Sequence, residues 1–190
     1  IRASNRFGSH KSVNYDANSD DKKTMNSLLS FSIIPSMIYS NIVDESKLKE
    51  FISESKIDAR QVKIPSGFAQ SQHEGFYFSD PRGVEFSYLE VDIYGMIYYA
   101  MGISELHNDE LIINGSKLLG WILFYITYAQ NFYEEIGYKG ILYIQMKLES
   151  ILGIKFFKWG TRHDRHFLEG SPFDDSLTIK LEITEKDLTT

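Results

Sequence analysis

Hydrophobic and polar residues alternate most regularly in two segments near the C-terminal end of the chain. In 142–149, leucine, isoleucine and methionine occupy every second position. In 177–184, leucine and isoleucine do so, separated by threonine, lysine and glutamate. Because successive side chains of a strand point to opposite faces of a sheet, both segments are predicted to be strands with one apolar face and one face in water.

A spacing of three and four residues predicts a helix over 45–56. Leu48, Phe51 and Ile52 would form one apolar stripe along it. Asp44 stands where a side-chain oxygen can accept the free amides of the first turn. This helix is therefore predicted to be amphipathic and to pack on one side only.

A second, longer helix is predicted over 115–136. Asn114 or Ser116 can cap its start, and Gly137 suits the position after its last turn, where a left-handed backbone is common. Its residues are apolar nearly all round, so most of its surface has to be covered. Either the domain surrounds this helix, or one face meets another subunit or domain.

Two further strand regions precede the second helix. The run "LLSFSIIP" over 28–35 is compatible with a strand closed by proline. The region from Glu74 to Tyr99 is predicted to be a hairpin with a type I turn at Asp80-Pro81-Arg82-Gly83. Apolar residues alternate up to Tyr88 and resume in the opposite phase at Leu89, which predicts a bulge or bend within the strand.

The predicted order is strand, helix, strand, strand, helix, strand, strand. It indicates an α+β fold, with two helices packed on a largely antiparallel sheet of about five strands. Its first six elements follow the ferredoxin-like β-α-β-β-α-β order, and one strand is extra. Residues 8–27 are polar and without periodicity, so 1–27 is interpreted as a linker or N-terminal arm and 28–190 as a single α+β domain. The chain begins with Ile1 rather than methionine and is interpreted as a piece of a longer polypeptide.

Composition narrows the classes of function. The chain has 190 residues, 43% hydrophobic residues and a formal net charge of −6, which argues against non-specific nucleic-acid binding by the whole surface. The absence of cysteine excludes disulfides, thiol catalysis and thiolate metal sites, and it fits a cytoplasmic location. The apolar, uncharged run 118–133 is shorter than the roughly 20 apolar residues that span a bilayer, so no membrane contact is predicted.

Signatures of catalysis are missing from the sequence. It contains neither a glycine-rich nucleotide loop, nor a serine nucleophile elbow, nor a His-Glu-x-x-His zinc motif. No catalytic residue and no cofactor are therefore predicted. Glu90 and Asp92 lie two apart on a predicted strand; such a pair could exchange protons, but a solvated sheet face is the preferred interpretation.

The segment 158–167, "KWGTRHDRHF", concentrates basic, imidazole and indole groups. Such groups bind phosphate or nucleic acid by charge and stacking. The predicted anion-binding residues are Lys155, Lys158, Trp159, Arg162, Arg165 and His166.

Three alternatives remain open for the same segment. His163 and His166 could bind a metal, although the neighbouring arginines oppose a cation. His163 and Asp164 could form an acid–base pair of a small hydrolase. The segment could also be an ordinary solvated connection between the last two strands.

The segment 60–103 resembles the region downstream of the DNA-binding core in bacterial and archaeal Schlafen/AlbA-type, divergent AAA-like transcriptional regulators. These proteins are also described as ATP-binding. The resemblance rests on Glu74-Gly75-Phe76, on Tyr94-Gly95-Met96-Ile97-Tyr98, and on Ile1-Arg2-Ala3-Ser4, which lacks a glycine usual in the family. It implies that a DNA-binding or catalytic part lies upstream of Ile1. It also implies that this chain is an accessory domain for dimerisation, partner docking or ligand sensing, and it carries over no functional residue.

The leading hypothesis is therefore a non-catalytic interaction domain of a larger prokaryotic cytoplasmic regulator. Its expected partner is another protein or a second copy, and nucleic acid would be bound through the full-length protein. Anion binding through the basic segment is the alternative, and a small metal-dependent or acid–base hydrolase is the third.

Overall fold

The computed structural model of the chain describes residues 27–36, 42–54, 70–72, 75–80, 87–107, 110–159, 165–168, 174 and 176–184. These residues form two helices and eleven strands. In chain order they are β1 (Leu28–Pro35), α1 (Glu45–Glu54), β2 (Gln70–Gln72), β3 (Gly75–Asp80), β4 (Ser87–Asp92), β5 (Ile97–Gly102), β6 (Ser104–His107), β7 (Glu110–Asn114), α2 (Gly115–Glu135), β8 (Ile141–Glu149), β9 (Lys155–Trp159), β10 (Arg165–Leu168) and β11 (Ser176–Thr184).

The strands form two sheets. The larger has seven strands in the order β11-β8-β1-β5-β4-β3-β2, and every neighbouring pair is antiparallel. The smaller has four strands in the order β10-β9-β7-β6, in which β7 and β9 run parallel. The α+β prediction is confirmed.

A ferredoxin-like unit lies at the centre of the larger sheet. Its chain order is β1, α1, β4, β5, α2, β8, and its strands lie side by side as β8-β1-β5-β4. The sheet has seven strands instead of the predicted five because β2 extends one edge and because the turn after Asp92 divides the second strand of the predicted hairpin into β4 and β5. The small sheet is a further addition that the pattern did not indicate.

The phase switch after Tyr88 is explained by burial on both faces of β4, and the regular pairing of that strand with both neighbours shows that the predicted bulge or bend is wrong. β4 ends at Asp92, and β5 begins only at Ile97. The Asp92 carboxylate accepts the backbone amides of Tyr94 at 3.0 Å and Met96 at 2.9 Å, and Gly95 takes a φ of +76° between them. Tyr88 and the following Leu89 are both buried, so apolar residues are required on each side of β4. The predicted turn at 80–83 lies outside the described residues except for Asp80.

Both helices begin where the sequence predicts. In α1, the Asp44 carboxylate accepts the Ser46 amide at 2.8 Å. Hydrogen bonds from Ser46 lower the pKa of that carboxyl. In α2, the Asn114 side-chain oxygen accepts the amides of Ser116 and Lys117, each at 3.1 Å. The prediction of a cap at Asn114 is thus confirmed.

The end of α2 is also as predicted. Gly137, with a φ of +66°, donates its amide to Glu134 at 3.1 Å, and Tyr138 donates to Tyr133 at 3.0 Å. These two bonds are the Schellman pattern, which satisfies carbonyls that the last turn would leave free. Glycine is favoured here because the left-handed conformation is costly for residues with a side chain.

The main core lies between the helices and the larger sheet. α2 packs aromatic side chains against β5 and α1: Tyr125 stacks on Tyr99 with ring centroids 3.5 Å apart, and Phe51 contacts Tyr128 and Phe132 edge-on. The buried residues of this core include Leu29, Phe31, Ile33, Leu48, Leu89, Val91, Ile97, Met101, Trp121, Phe124, Leu142, Ile144 and Leu148. The linker prediction for 1–27 falls outside the described residues except for Ser27, which is buried and donates its hydroxyl to Ser150 at 2.8 Å.

Replacing Asn114 with alanine is expected to lower the free energy of unfolding by about 1 kcal/mol, because two amides of the first turn of α2 lose their acceptor. Urea denaturation followed by circular dichroism measures the change. Asn114→Ser keeps an acceptor and should recover most of the loss. Equal destabilisation by serine and alanine would contradict a capping role.

Candidate functional site

The basic segment 158–167 begins and ends in paired strands. β9 and β10 form an antiparallel hairpin in which Trp159 lies opposite Arg165, and Lys158 lies opposite His166. Directly opposed residues share a face of the sheet, and successive residues alternate. The described register therefore brings Trp159 opposite Arg165 and Lys158 opposite His166 in one hairpin.

The remaining predicted residues do not join these four in one site. Lys155 is exposed, and its ammonium lies 2.9 and 2.7 Å from the two carboxylate oxygens of Glu110 on β7. That carboxylate offsets its charge, although an exposed pair of this kind contributes only about 0–1 kcal/mol to stability. The positions of Arg162 and His163 lie outside the described residues. Within the described ranges, no group of three or more histidine, aspartate or glutamate side chains could hold a metal ion.

The carboxylates on β4 are buried, so their interpretation as a solvated pair is wrong. Glu90 is 0% exposed and Asp92 is 6% exposed. Glu90 accepts the Tyr88 hydroxyl at 2.8 Å, while Asp92 organises the turn to β5. The hydrogen bonds of these two buried carboxylates lie within the fold, one to a neighbouring tyrosine and the other to the turn.

Tyrosines surround Glu90 on the sheet face that lies opposite the helices. Tyr88 contacts Tyr77 and Tyr98 at centroid distances of 5.9 and 6.2 Å. Burial, together with the nearby carboxylates of Glu149 and Glu90, raises the pKa of Tyr98 to about 12, and a hydrogen bond from Ser30 partly opposes this rise. This cluster is a second, smaller core and not an open cleft.

An exposed apolar surface lies on β11. Leu177, Ile179 and Leu181 project from the helix side of the larger sheet and are 50%, 39% and 54% exposed. We call these three side chains the edge surface. The alternation of 177–184 predicted a strand with a dry apolar face; the strand is confirmed, but that face is open over these positions.

The edge surface is open because the helix layer stops at the neighbouring strand. On β8, the side chains that face the helices are buried at Leu142, Ile144 and Leu148 and partly buried at Met146. On β11, each residue of the edge surface is paired with a β8 residue on that same face, Leu181 with Ile144 and Leu177 with Leu148. The apolar face of the sheet thus continues one strand beyond the helices that cover it.

β11 is also the last strand of its sheet. It is nine residues long and hydrogen-bonds to β8 along one side; among the described residues, no strand pairs with its other side. The backbone N–H and C=O groups on the outer side of an edge strand form a template for a further strand. Proteins usually protect long edges with inward charges, proline or bulges, whereas β11 presents an apolar face and a regular backbone.

No protein-family model, no curated protein sequence and no solved structure was found to match this chain. The resemblance of 60–103 to Schlafen/AlbA-type regulators therefore stays a prediction. Of the three segments that carry it, Tyr94 to Tyr98 forms the turn into β5 and the start of that strand. These positions have structural roles.

Other exposed apolar side chains are more scattered. Leu119 and Leu123 lie one turn apart on the outer side of α2. The all-round apolar character of this helix thus reflects a buried face and two exposed leucines. Neither described helix is long and apolar enough to cross a membrane. Only the edge surface combines exposed aliphatic side chains with an open strand edge in the described part of the chain.

Sequence reasoning overlooked the edge surface for a definite reason. The alternation indicates that one face of 177–184 is apolar, but it does not identify the element that covers that face. Comparing the number of helices with the number of strands could have revealed it, because two helices are too narrow to cover the apolar faces of so many strands. That comparison needed the order of the strands, with β11 at one edge of the sheet, which pattern alone did not provide.

Proposed function

We propose that this chain is a non-catalytic protein-interaction domain that binds another protein through the edge surface. The observation that carries the proposal is an open edge strand whose apolar face extends beyond the helix layer. In a larger cytoplasmic regulator, such a domain would provide dimerisation or partner docking while another part of the protein acts on nucleic acid.

The energetics favour a protein partner over a small ligand. Full burial of a leucine or isoleucine contributes about 1.5–3 kcal/mol, so covering the exposed parts of the edge surface would contribute about 2–4 kcal/mol in total. An added strand would also satisfy the outer backbone groups of β11. A small molecule would lack the length to do both along a strand of nine residues.

Anion binding through the basic segment has weaker support. Lys155, the predicted anion-binding residue whose side chain the structure describes, is paired with Glu110. A phosphate needs convergent donors, and a nucleic acid needs a positive patch on one face. The net charge of −6 also opposes polyanion binding by the rest of the surface.

Photo-crosslinking in cells tests the interaction proposal. A benzophenone amino acid in place of Ile179 is expected to form a covalent adduct with a protein, because the open edge would bring a partner chain against that side chain. The adduct is measured as a mass shift on a denaturing gel and identified by mass spectrometry. The matched control is the same amino acid in place of Asn131, which is exposed on α2.

An adduct at position 179 that is absent at position 131 would support the proposal. Equal labelling at both positions would indicate random collision. No protein adduct at position 179 would overturn the interaction function of this surface.

A further inference from the structure

We infer that the occupant of the edge surface is a second copy of this chain, bound by antiparallel pairing of β11 with β11 about a two-fold axis at Leu181. This inference rests on the proposed interaction function and names its partner. It would join the larger sheets of two copies into one continuous sheet.

The sequence of β11 is a chemical palindrome about Leu181. Residues 178–184 read Thr-Ile-Lys-Leu-Glu-Ile-Thr. Reversal about the central leucine exchanges threonine with threonine, isoleucine with isoleucine, and lysine with glutamate. A two-fold interface needs a surface that is complementary to itself, so that residue i meets residue j and residue j meets residue i.

The geometry of antiparallel strands determines which residues of the two copies lie opposite each other. Residues directly opposite each other in an antiparallel pair point to the same face of the sheet. With the axis at Leu181, Leu181 faces its own copy, and Ile179 faces Ile183 of the second copy. These aliphatic pairs lie on the helix side, where Ile179 and Leu181 are now exposed and Ile183 is partly buried.

In the same register, the charged residues lie on the other face of the sheet, and each meets a residue of opposite charge. Lys180 lies opposite Glu182 of the second copy, and Glu182 lies opposite Lys180 of the second copy. The two outer pairs are Thr178 with Thr184. Opposite charges and threonine pairs directly across a ladder both stabilise it, whereas like charges weaken it.

Other symmetric registers lack this match. An axis at Lys180 places that lysine opposite itself and leaves Glu182 opposite Thr178. An axis at Ile179 places Lys180 opposite Thr178 and Glu182 opposite Ser176, so neither charge has a counterion across the ladder. Only the axis at Leu181 pairs each charge of β11 with its opposite while keeping aliphatic residues together.

Charge reversal tests the partner and the register together. Sedimentation velocity over a wide range of concentrations should show wild-type dimers. Lys180→Glu alone and Glu182→Lys alone should each weaken self-association by about tenfold or more, because two like-charge pairs replace two opposite ones. Mixed in equal amounts, the two variants should associate about as well as the wild type, since each charge then meets its opposite.

Disulfide trapping gives an independent measurement, because the chain contains no cysteine. Under mild oxidation, Leu181→Cys should form a disulfide-linked dimer, since the two copies of this position face each other at the axis and Cβ atoms across an antiparallel ladder come close enough for a disulfide. Leu177→Cys is the matched control. Its side chain is equally exposed, yet it lies beyond the paired residues 178–184.

A strictly monomeric wild type, failure of the two charge variants to associate when mixed, or equal trapping at positions 177 and 181 would each overturn this inference. Rescue by mixing cannot come from misfolded variants, so the test does not depend on either variant alone. Capture of a different protein at position 179 together with a monomeric wild type would overturn the second copy as partner and leave the interaction function standing. No adduct at that position would overturn both.

Discussion

Replacing Phe132 with alanine is expected to lower the free energy of unfolding by about 3–5 kcal/mol, since a fully buried aromatic side chain is lost and a cavity remains. Phe132 has 0% exposed surface in the middle of the helix–sheet core. Its ring meets that of Phe51 edge-on at 5.2 Å and that of Tyr133 at the same centroid distance. The substitution thus removes part of the contact by which α1 attaches to α2.

The matched control for this variant is Leu119→Ala on the same helix. Leu119 is 56% exposed, so its truncation should change stability by less than about 1 kcal/mol. Chemical denaturation of both variants at neutral pH measures the difference. Similar losses for the two would contradict the burial of Phe132 and the assignment of the inner and outer sides of α2.

The fold is expected to unfold cooperatively as the pH rises above about 10, the ordinary pKa of a tyrosine hydroxyl. Burial raises the pKa of Tyr98 to about 12 and raises the pKa values of Tyr125, Tyr128 and Tyr133 above the ordinary value. In the unfolded chain these four groups ionise near their ordinary pKa, while the folded state keeps them protonated. The stability they contribute is therefore complete below that pKa and is lost as the pH rises through the folded values.

The expected loss of stability per pH unit is large because four tyrosines ionise together. Each lowers stability by up to about 1.4 kcal/mol per pH unit, so the four together lower it by up to about 5 kcal/mol per unit. Denaturation at a series of alkaline pH values, with tyrosinate absorbance recorded in parallel, measures the slope. Tyr128→Phe should reduce that slope by the contribution of one group, and ionisation of all tyrosines with the fold intact would disprove the prediction.

Local signals made parts of the fold predictable. The two ends of α2 could be predicted because Asn114 and Gly137 act on their own neighbourhood, through capping and a left-handed turn. The strands β1, β8 and β11 could be predicted because each carries a long alternating or apolar pattern. In all these cases the residues that determine the structure lie within the element itself.

The small sheet could not be predicted in the same way. Its strands are four or five residues long, and β7 pairs in parallel with β9, which lies beyond the whole of α2 and β8. A short strand of mixed composition depends on its partner for stability, and that partner was not identifiable from the residues nearby. The burial of Glu90 escaped prediction because the cover over the second face of β4 is likewise not local.

The candidate site also depends on information that is not local in the sequence. The basic segment was predicted to bind anions because its composition is unusual, whereas the edge surface has an ordinary composition. What distinguishes it is its place at the end of a sheet, one strand beyond the helices. The palindrome of residues 178–184 was visible in the sequence, but its meaning depends on β11 being an edge.

Asn114 is both the last residue of β7 and the cap of α2, so no loop separates the small sheet from the long helix. A hinge needs residues whose backbone angles are free to change. Here they are fixed by the ladder on one side and by the capping bonds to Ser116 and Lys117 on the other. The junction between the small sheet and α2 is consequently stiff, because one residue fixes both the end of β7 and the direction in which the helix leaves it.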